Sequence, residues 1–124
     1  MNVAEAARSI EGTVMAGRAA MEREIQGGYA SDLLSDVMGN SREGDIWVTM
    51  QKHVNIVAVA QLNSLAAIVL VNGRQPEPDT VVRADEIGIP IISTPLQAFD
   101  TVGILFGLNL RGRGLGAPAS RRLL

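Results

Sequence analysis

The sequence of 124 residues contains no cysteine and only one histidine, one tryptophan and one lysine. The absence of cysteine excludes disulfide bonds, thiolate zinc sites and cysteine nucleophiles. A metal site based on the single histidine would need carboxylates for its remaining ligands. We therefore predict neither a metal nor a cofactor.

Long hydrophobic runs are also missing. The longest apolar stretch, residues 65–71, is far too short for a bilayer, which needs about 20 residues in a helix. The first residues, MNVAEAARSIEG, lack the charged and then apolar pattern of a signal peptide. These features predict a cytoplasmic protein without a membrane segment, and the length is sufficient for one domain with its own core.

Charge is distributed unevenly along the chain. Residues 1–110 hold all 13 acidic side chains, whereas residues 111–124 (RGRGLGAPASRRLL) carry arginine as their only charged residue. We predict a domain over 1–110 and a flexible Arg/Gly-rich tail over 111–124. Binding of nucleic acid requires clustered Lys and Arg, which the acidic body lacks, so binding through the tail is the least favoured functional hypothesis.

Short helices and strands alternate along residues 1–110. Asn2 and Glu5 have capping-box spacing at the start of a helix that ends at Gly12. The final helix is predicted from Thr94-Pro95-Leu96-Gln97, in which Thr94 caps and proline takes the first helical position. The alternation favours an α/β fold, a single three-layer α/β/α domain with a mostly parallel sheet. The predicted strands occupy residues 13–16, 24–29, 45–50, 65–71 and 89–93. The other predicted helices occupy residues 31–38, 79–86 and a segment that ends at 62 and begins at either 53 or 55.

Polar residues collect where the predicted strands end. In an open parallel sheet, the carboxyl ends of the strands form one edge, and ligands bind there beside helix N-termini. Several of these residues are also ordinary helix caps, and Asn72-Gly73 is a turn signal. The candidate ligand-binding residues are Ser31, Asp32, Gln51, Lys52, His53, Asn55, Asn72, Ser93 and Thr94.

The motifs of common enzyme classes are absent from the sequence. It has no GxxxxGK[ST] phosphate loop, no GxGxxG after a strand, no HExxH and no GxSxG. We therefore predict that the protein is not an enzyme and has no catalytic residues. The alternative is a small enzyme in which His53 is the general acid/base, Lys52 holds an anionic substrate and Asp32 orients the imidazole.

Four stretches of the sequence resemble stand-alone DRTGG-domain proteins. They are GYASDLLSDVM (28–38), GDIWVTMQ (44–51), HVNIVAVA (53–60) and GIPIIST (88–94), and the resemblance extends over about residues 3–108. It implies a fold similar to the N-terminal domain of HPr kinase/phosphorylase, whose kinase activity belongs to a separate domain with a phosphate loop. The five-residue string DRTGG, after which the family is named, is absent from this sequence. QKHVN (51–55) follows the third strand, and Asn72-Gly73 stands where the Gly pair of the family is expected.

The resemblance implies a bacterial regulatory module that self-associates and is not a catalyst. The expected partners are a small anionic metabolite or nucleotide and a signalling or redox-enzyme protein. We also expect a homodimer, because the predicted helices carry more apolar surface than a small sheet can cover. The candidate interface residues are Trp47, Phe99, Leu105 and Phe106.

Overall fold

The structure, a computed structural model, describes residues 1–113. Within this range five helices and five strands form one domain. The helices are α1 (Val3–Ser9), α2 (Leu34–Asn40), α3 (Asn55–Leu62), α4 (Pro78–Ile87) and α5 (Ala98–Gly107), with a 3-10 turn at Arg18–Ala20. The strands are β1 (Thr13–Ala16), β2 (Gly27–Ala30), β3 (Asp45–Thr49), β4 (Ala67–Leu70) and β5 (Ile91–Ser93).

The strands form one sheet in the order β1-β5-β4-β3-β2. β2, β3, β4 and β5 are parallel, and β1 pairs antiparallel with β5 at the edge. Every residue of the central strand β4 is buried, as expected for an uninterrupted apolar strand covered on both faces. The predicted α/β fold with a mostly parallel sheet is confirmed.

Helices cover both faces of the sheet and produce three layers. Ile46 and Val48 of β3 face a core formed with α1 and α5. Trp47, between them in the strand, faces a second core formed with α2, α3 and α4. This alternation follows from the two-residue period of a strand, so both sets of β3 side chains are buried.

Local signals at the ends of several helices are also confirmed. Asn2 and Glu5 form the predicted capping box, with each side chain accepting the other residue's backbone N–H at 2.9 Å. Gly88 ends α4 in the left-handed conformation at φ 83°, where glycine avoids the cost of a Cβ. The start of α3 has no side-chain cap: its N-cap residue is Val54, and Nδ1 of His53 accepts the N–H of Asn55 just inside the helix.

The predicted start of the last helix is wrong. α5 begins at Ala98, and its N-cap residue is Gln97. Thr94 is buried, and its hydroxyl donates to the carbonyl of Ile10 at 2.6 Å while accepting the N–H of Leu96. These tertiary contacts hold residues 94–97 outside the helix, so the local capping pattern does not decide where α5 begins.

The predicted boundary between domain and tail at residue 110 is also too early. The carbonyl of Arg111 accepts the N–H of Gly28 in β2 at 3.1 Å, and the guanidinium of Arg113 binds the buried carboxylate of Asp45. Residues 111–113 therefore pack against the sheet. The rest of the predicted tail, 114–124, lies outside the described residues. Within residues 1–113 no helix has the length and apolar character to cross a membrane.

Candidate functional site

The carboxyl ends of four parallel strands lie along one edge of the sheet, as their register shows. Ala30 pairs with Val48, Thr49 with Leu70, and Leu70 with Ser93. The loops that follow these strands carry the residues that the sequence singled out. We refer to this edge as the carboxyl edge. Most of its candidate side chains fall into three groups, of which two are exposed and one is buried.

The first group surrounds Asp32, in the loop after β2. Oδ1 of Asp32 accepts the hydroxyl of Thr49 at 2.8 Å and the N–H of Met50 at 2.7 Å. The side-chain amide of Gln51 donates to the carbonyl of Asp32 at 2.9 Å, and the N–H of Gln51 donates to the hydroxyl of Thr49. Asp32 thus joins the loops after β2 and β3 while its side chain remains exposed.

A cavity of about 240 Å³ opens beside Asp32. Its volume suits one part of a metabolite, such as a base or a sugar, because sites for larger organic ligands span about 300–1,000 Å³. Most of the residues that line the cavity are apolar. The lining residues are Ala30, Ser31, Asp32, Val48, Thr49, Met50, Val71 and Ala98.

The second group, Lys52, His53 and Asn55, is exposed on the loop between β3 and α3. The carbonyl of Lys52 accepts the N–H of Glu77 at 3.1 Å and the hydroxyl of Thr80 at 2.8 Å, which ties this loop to the start of α4. None of the three side chains lines the cavity beside Asp32. They lie on the same edge, on the loop after β3, whereas Asp32 lies on the loop after β2.

The third group consists of Ser93 and Thr94, and here the predicted role in ligand binding is wrong. Ser93 is 5% exposed and its hydroxyl donates to the carbonyl of Arg74 at 2.7 Å. Thr94 has no exposed surface, and its hydroxyl already donates to the carbonyl of Ile10 and accepts the N–H of Leu96. Their hydroxyl groups join neighbouring loops and are not available to a ligand.

Ser31 and Asn72 also have structural contacts. The hydroxyl of Ser31 accepts the N–H of Leu33, and its carbonyl accepts the indole N–H of Trp47 at 2.9 Å. Asn72 adopts φ 58°, and its side-chain amide lies 3.3 Å from the sulfur of Met50. Ser31 lines the cavity, whereas Asn72 belongs to an exposed turn whose backbone hydrogen-bonds the loop after β5.

The catalytic arrangement of the enzyme hypothesis is not formed. Asp32 bonds Thr49 and Met50, and Nδ1 of His53 is taken by the N–H of Asn55. The imidazole therefore lacks the carboxylate that would orient it. Within residues 1–113 no group of three or more His, Asp or Glu side chains has the geometry of a metal site.

Thr49 is the residue of this site that the sequence analysis missed. It lies at the last position of β3, where its buried hydroxyl holds both Asp32 and Gln51. A threonine that ends a strand directly after three apolar residues was a usable signal. Such a buried hydroxyl needs a hydrogen-bond partner, and a partner at a strand exit belongs to a loop.

Two of the four candidate interface residues are buried within the chain itself. Trp47 is fully buried and Leu105 is 4% exposed, so neither side chain can contact a partner and their assignment is wrong. Phe99 and Phe106, in contrast, are 87% and 47% exposed on α5. The difference arises because helix α5 turns Leu105 toward the sheet and both phenylalanines away from it.

A separate polar cluster joins β2 to α2. The hydroxyl of Tyr29 donates to Oδ2 of Asp36 at 2.8 Å, and the side-chain amide of Asn40 donates to Oδ1 at 3.0 Å. The hydrogen bond from Tyr29 lowers the pKa of Asp36, whereas burial and then the bond to Asp36 raise the pKa of Tyr29. Asp36 and Asp32 therefore have different partners and do not form a carboxylate pair.

Comparisons with known proteins agree with this architecture. The family model described as the DRTGG domain matches residues 5–107. The fold is similar to a crystal structure of the CBS and DRTGG domains from the regulatory region of a Clostridium perfringens pyrophosphatase, complexed with its activator diadenosine tetraphosphate. The TM-score is 0.62 at 13% identity, over 83% of this chain and 45% of that chain. This chain therefore spans less than half of the matched one, and no curated protein matches it.

Proposed function

Because the chain belongs to the DRTGG-domain family, we propose that it is a non-catalytic regulatory module that binds a nucleotide at the carboxyl edge of its sheet. The observation that carries this proposal is the cavity at a strand exit that is lined by the exposed residue Asp32 together with mostly apolar residues. The matched pyrophosphatase region, complexed with a nucleotide activator, supports the ligand class.

The chemistry of the cavity suits the uncharged part of a nucleotide. Oδ1 of Asp32 accepts from Thr49 and Met50, while Oδ2 has no hydrogen-bond partner among residues 1–113. This oxygen is available for a ribose hydroxyl or an amino group of a base, both of which donate. Met50 and Ala98, which line the cavity and are exposed, supply apolar contact for a ring.

The phosphate groups of the ligand would lie outside this cavity, since a carboxylate repels them. Lys52 is the single lysine of the chain and is exposed on the next loop of the same edge. Its ammonium group and the His53 imidazole provide donors for phosphate oxygens. Phosphate affinity should therefore depend on Lys52, and base or sugar affinity on Asp32.

Calorimetric titration with adenosine, AMP, ATP and diadenosine tetraphosphate tests this division. We expect affinity to rise with phosphate number, and each bound ligand to raise the melting temperature by mass action. Asp32→Asn should weaken every ligand, adenosine included, by about tenfold, the effect of losing one charge-assisted hydrogen bond. Lys52→Ala should weaken the phosphorylated ligands only.

Matched controls are available on α4. Glu86→Gln removes an exposed carboxylate and Arg83→Ala an exposed cation, both away from the carboxyl edge. Neither change should alter binding. If none of the four ligands binds the unmodified protein, or if Asp32→Asn and Glu86→Gln behave alike, the proposed site is wrong.

We also propose that the module self-associates as a homodimer. The support is an apolar surface on α5 that includes Phe99, Val102 and Phe106, all exposed in the single chain. A signalling or redox-enzyme partner, a bacterial source and the likeness to the N-terminal domain of HPr kinase/phosphorylase stay predictions from the resemblance. A cytoplasmic setting stays a prediction from the sequence pattern. No observation on the described residues favours the acid/base enzyme, since Nδ1 of His53 accepts the N–H of Asn55 and Asp32 bonds Thr49 and Met50.

A further inference from the structure

Helix α5 exposes an apolar surface that the described chain covers only in part, where Arg111 lies over Phe106. Thr101 and Leu105 are buried against the rest of the protein, whereas Phe99, Val102 and Phe106 are 87%, 38% and 47% exposed. Gly103 lies in the same surface, and a Cβ built there would meet no atom within 4 Å. An exposed aromatic surface of this kind marks a contact with another molecule.

Opposite charges stand at the two ends of this surface. Asp100 is exposed in the first turn of α5. Beyond the other end, the guanidinium carbon of Arg111 lies 3.7 Å from the centroid of the Phe106 ring, and Nη1 donates to the carbonyl of Phe106. Neither Asp100 nor Arg111 forms an ion pair within the described part of the chain.

We propose, resting on the self-association proposed above, that α5 packs antiparallel against α5 of a second copy around a two-fold axis between Val102 and Gly103. A two-fold axis at this point pairs positions whose numbers sum to 205. Phe99 then meets Phe106 of the partner subunit, and Val102 meets Gly103 of the partner subunit. Each aromatic contact and each close approach at glycine occurs twice.

The charges favour the same arrangement. In an antiparallel pair, the beginning of one helix lies beside the end of the other, so Asp100 approaches Arg111 of the partner subunit, which extends over the partner's Phe106. This charge complementarity within one surface selects a second copy of the chain over an unrelated partner, because each position finds its complement in the same surface. The antiparallel helix dipoles add to this preference.

Sedimentation equilibrium of the full chain tests the inference. Phe99→Asp should raise the dimer Kd by about tenfold or more, because it replaces both Phe99–Phe106 contacts of the interface by charges. Phe99 is almost fully exposed in the single chain, so the variant should keep its helical spectrum and melting behaviour. Val82→Asp is the matched control, since Val82 is 59% exposed on α4, and it should leave the Kd unchanged.

A cysteine cross-link tests the position of the axis. The chain contains no cysteine, so a single introduced thiol reports without background. Val102→Cys should form a disulfide-linked dimer on mild oxidation, because a residue beside a two-fold axis lies close to its own copy. Val82→Cys should form no disulfide-linked dimer under the same conditions.

The outcomes separate this inference from the proposals on which it rests. A dimer that survives Phe99→Asp and does not cross-link through Val102→Cys uses another surface, which overturns the inference and leaves self-association standing. An unmodified protein that stays monomeric at about 100 μM, where dimers of micromolar Kd form, overturns both. Nucleotide binding is measured separately and does not depend on either result.

Discussion

Strand β3 is held at each end by an aspartate, and the two aspartates behave differently. At its amino end, the side chain of Asp45 is 2% exposed and binds the guanidinium of Arg113 through Oδ1 and the N–H of Arg42 through Oδ2 at 2.8 Å. At its carboxyl end, Asp32 accepts hydrogen bonds from Thr49 and Met50 and remains exposed, with no cation bound to it among residues 1–113.

This difference separates a carboxylate that serves the fold from one that is available to a ligand. A buried charge must be paired and hydrogen-bonded, because its transfer from water otherwise costs several kcal/mol. Asp45 meets that condition and has no surface left for another molecule. Asp32 keeps one oxygen without a partner beside a cavity, which is why we place ligand recognition at the carboxyl edge.

The largest expected effect is a difference in stability between the two aspartates. Asp45→Ala should lower the free energy of unfolding by about 2–3 kcal/mol, somewhat below the value for a fully buried pair because Arg113 is partly exposed. Asp32→Ala should cost about 1 kcal/mol, the worth of exposed hydrogen bonds. Urea denaturation monitored by circular dichroism measures both.

A double-mutant cycle makes this test sharper. If Asp45 acts through Arg113, the double variant Asp45→Ala/Arg113→Ala should cost less than the sum of the two single variants. Equal losses for Asp45→Ala and Asp32→Ala would remove the distinction between the two ends of β3.

The role of Asp45 was not visible in the sequence, because its partner lies 68 positions away in a segment predicted to be a flexible tail. The composition of residues 111–113 resembles a disordered arginine-glycine segment. A single buried carboxylate at the start of β3 is enough to bind this segment to the sheet. Composition averages over many residues, whereas one ion pair depends on two.

Substitutions of two glycines should give the second largest effect on stability. A Cβ at Gly27 would lie 2.7 Å from the carbonyl of Arg111 and 2.9 Å from Oδ1 of Asp45, so Gly27→Ala should destabilise the protein by about 2 kcal/mol through overpacking. Gly39 in α2 has no atom within 4 Å of such a Cβ. Gly39→Ala should instead stabilise by about 0.5 kcal/mol, since alanine favours the helix. Midpoints of urea unfolding that move in the same direction would contradict the proposed packing at Gly27.

The smallest effect concerns a third aspartate, Asp36, which is partly exposed and has a neutral partner. The Tyr29 hydroxyl lowers the pKa of Asp36, so this contact stabilises the folded state fully at pH values above the ordinary carboxyl pKa of about 4. The stabilisation is lost as the pH falls through the lowered pKa of Asp36. Tyr29→Phe should raise the pKa of Asp36 in an NMR titration. The free energy of unfolding of Tyr29→Phe should be lower than that of the unmodified protein at pH 7, and this difference should be smaller at pH 3. A difference that is the same at both pH values would mean that Tyr29 stabilises through packing and not through Asp36.

The candidate site shows how far prediction from sequence extended. The convergence of strand exits at one edge followed from the alternation of helices and strands, and it placed Asp32, Gln51 and Lys52 correctly at that edge. It also predicted Ser93 and Thr94 as ligand contacts, although both are buried. Whether a hydroxyl at a strand exit faces solvent or a neighbouring loop depends on contacts such as that between Thr94 and Ile10, which are 84 positions apart.

The sequence by itself determined the α/β class, the buried central strand, the capping box at Asn2 and the end of α4 at Gly88. These features depend on residues a few positions apart, and their physical causes are local hydrogen bonds, backbone conformation and the period of the apolar pattern. Only the tertiary structure decided which side of α5 is exposed, which of two aspartates is paired and where residues 111–113 lie. Those outcomes depend on which distant surfaces pack together and exclude water, and no short stretch of sequence contains that information.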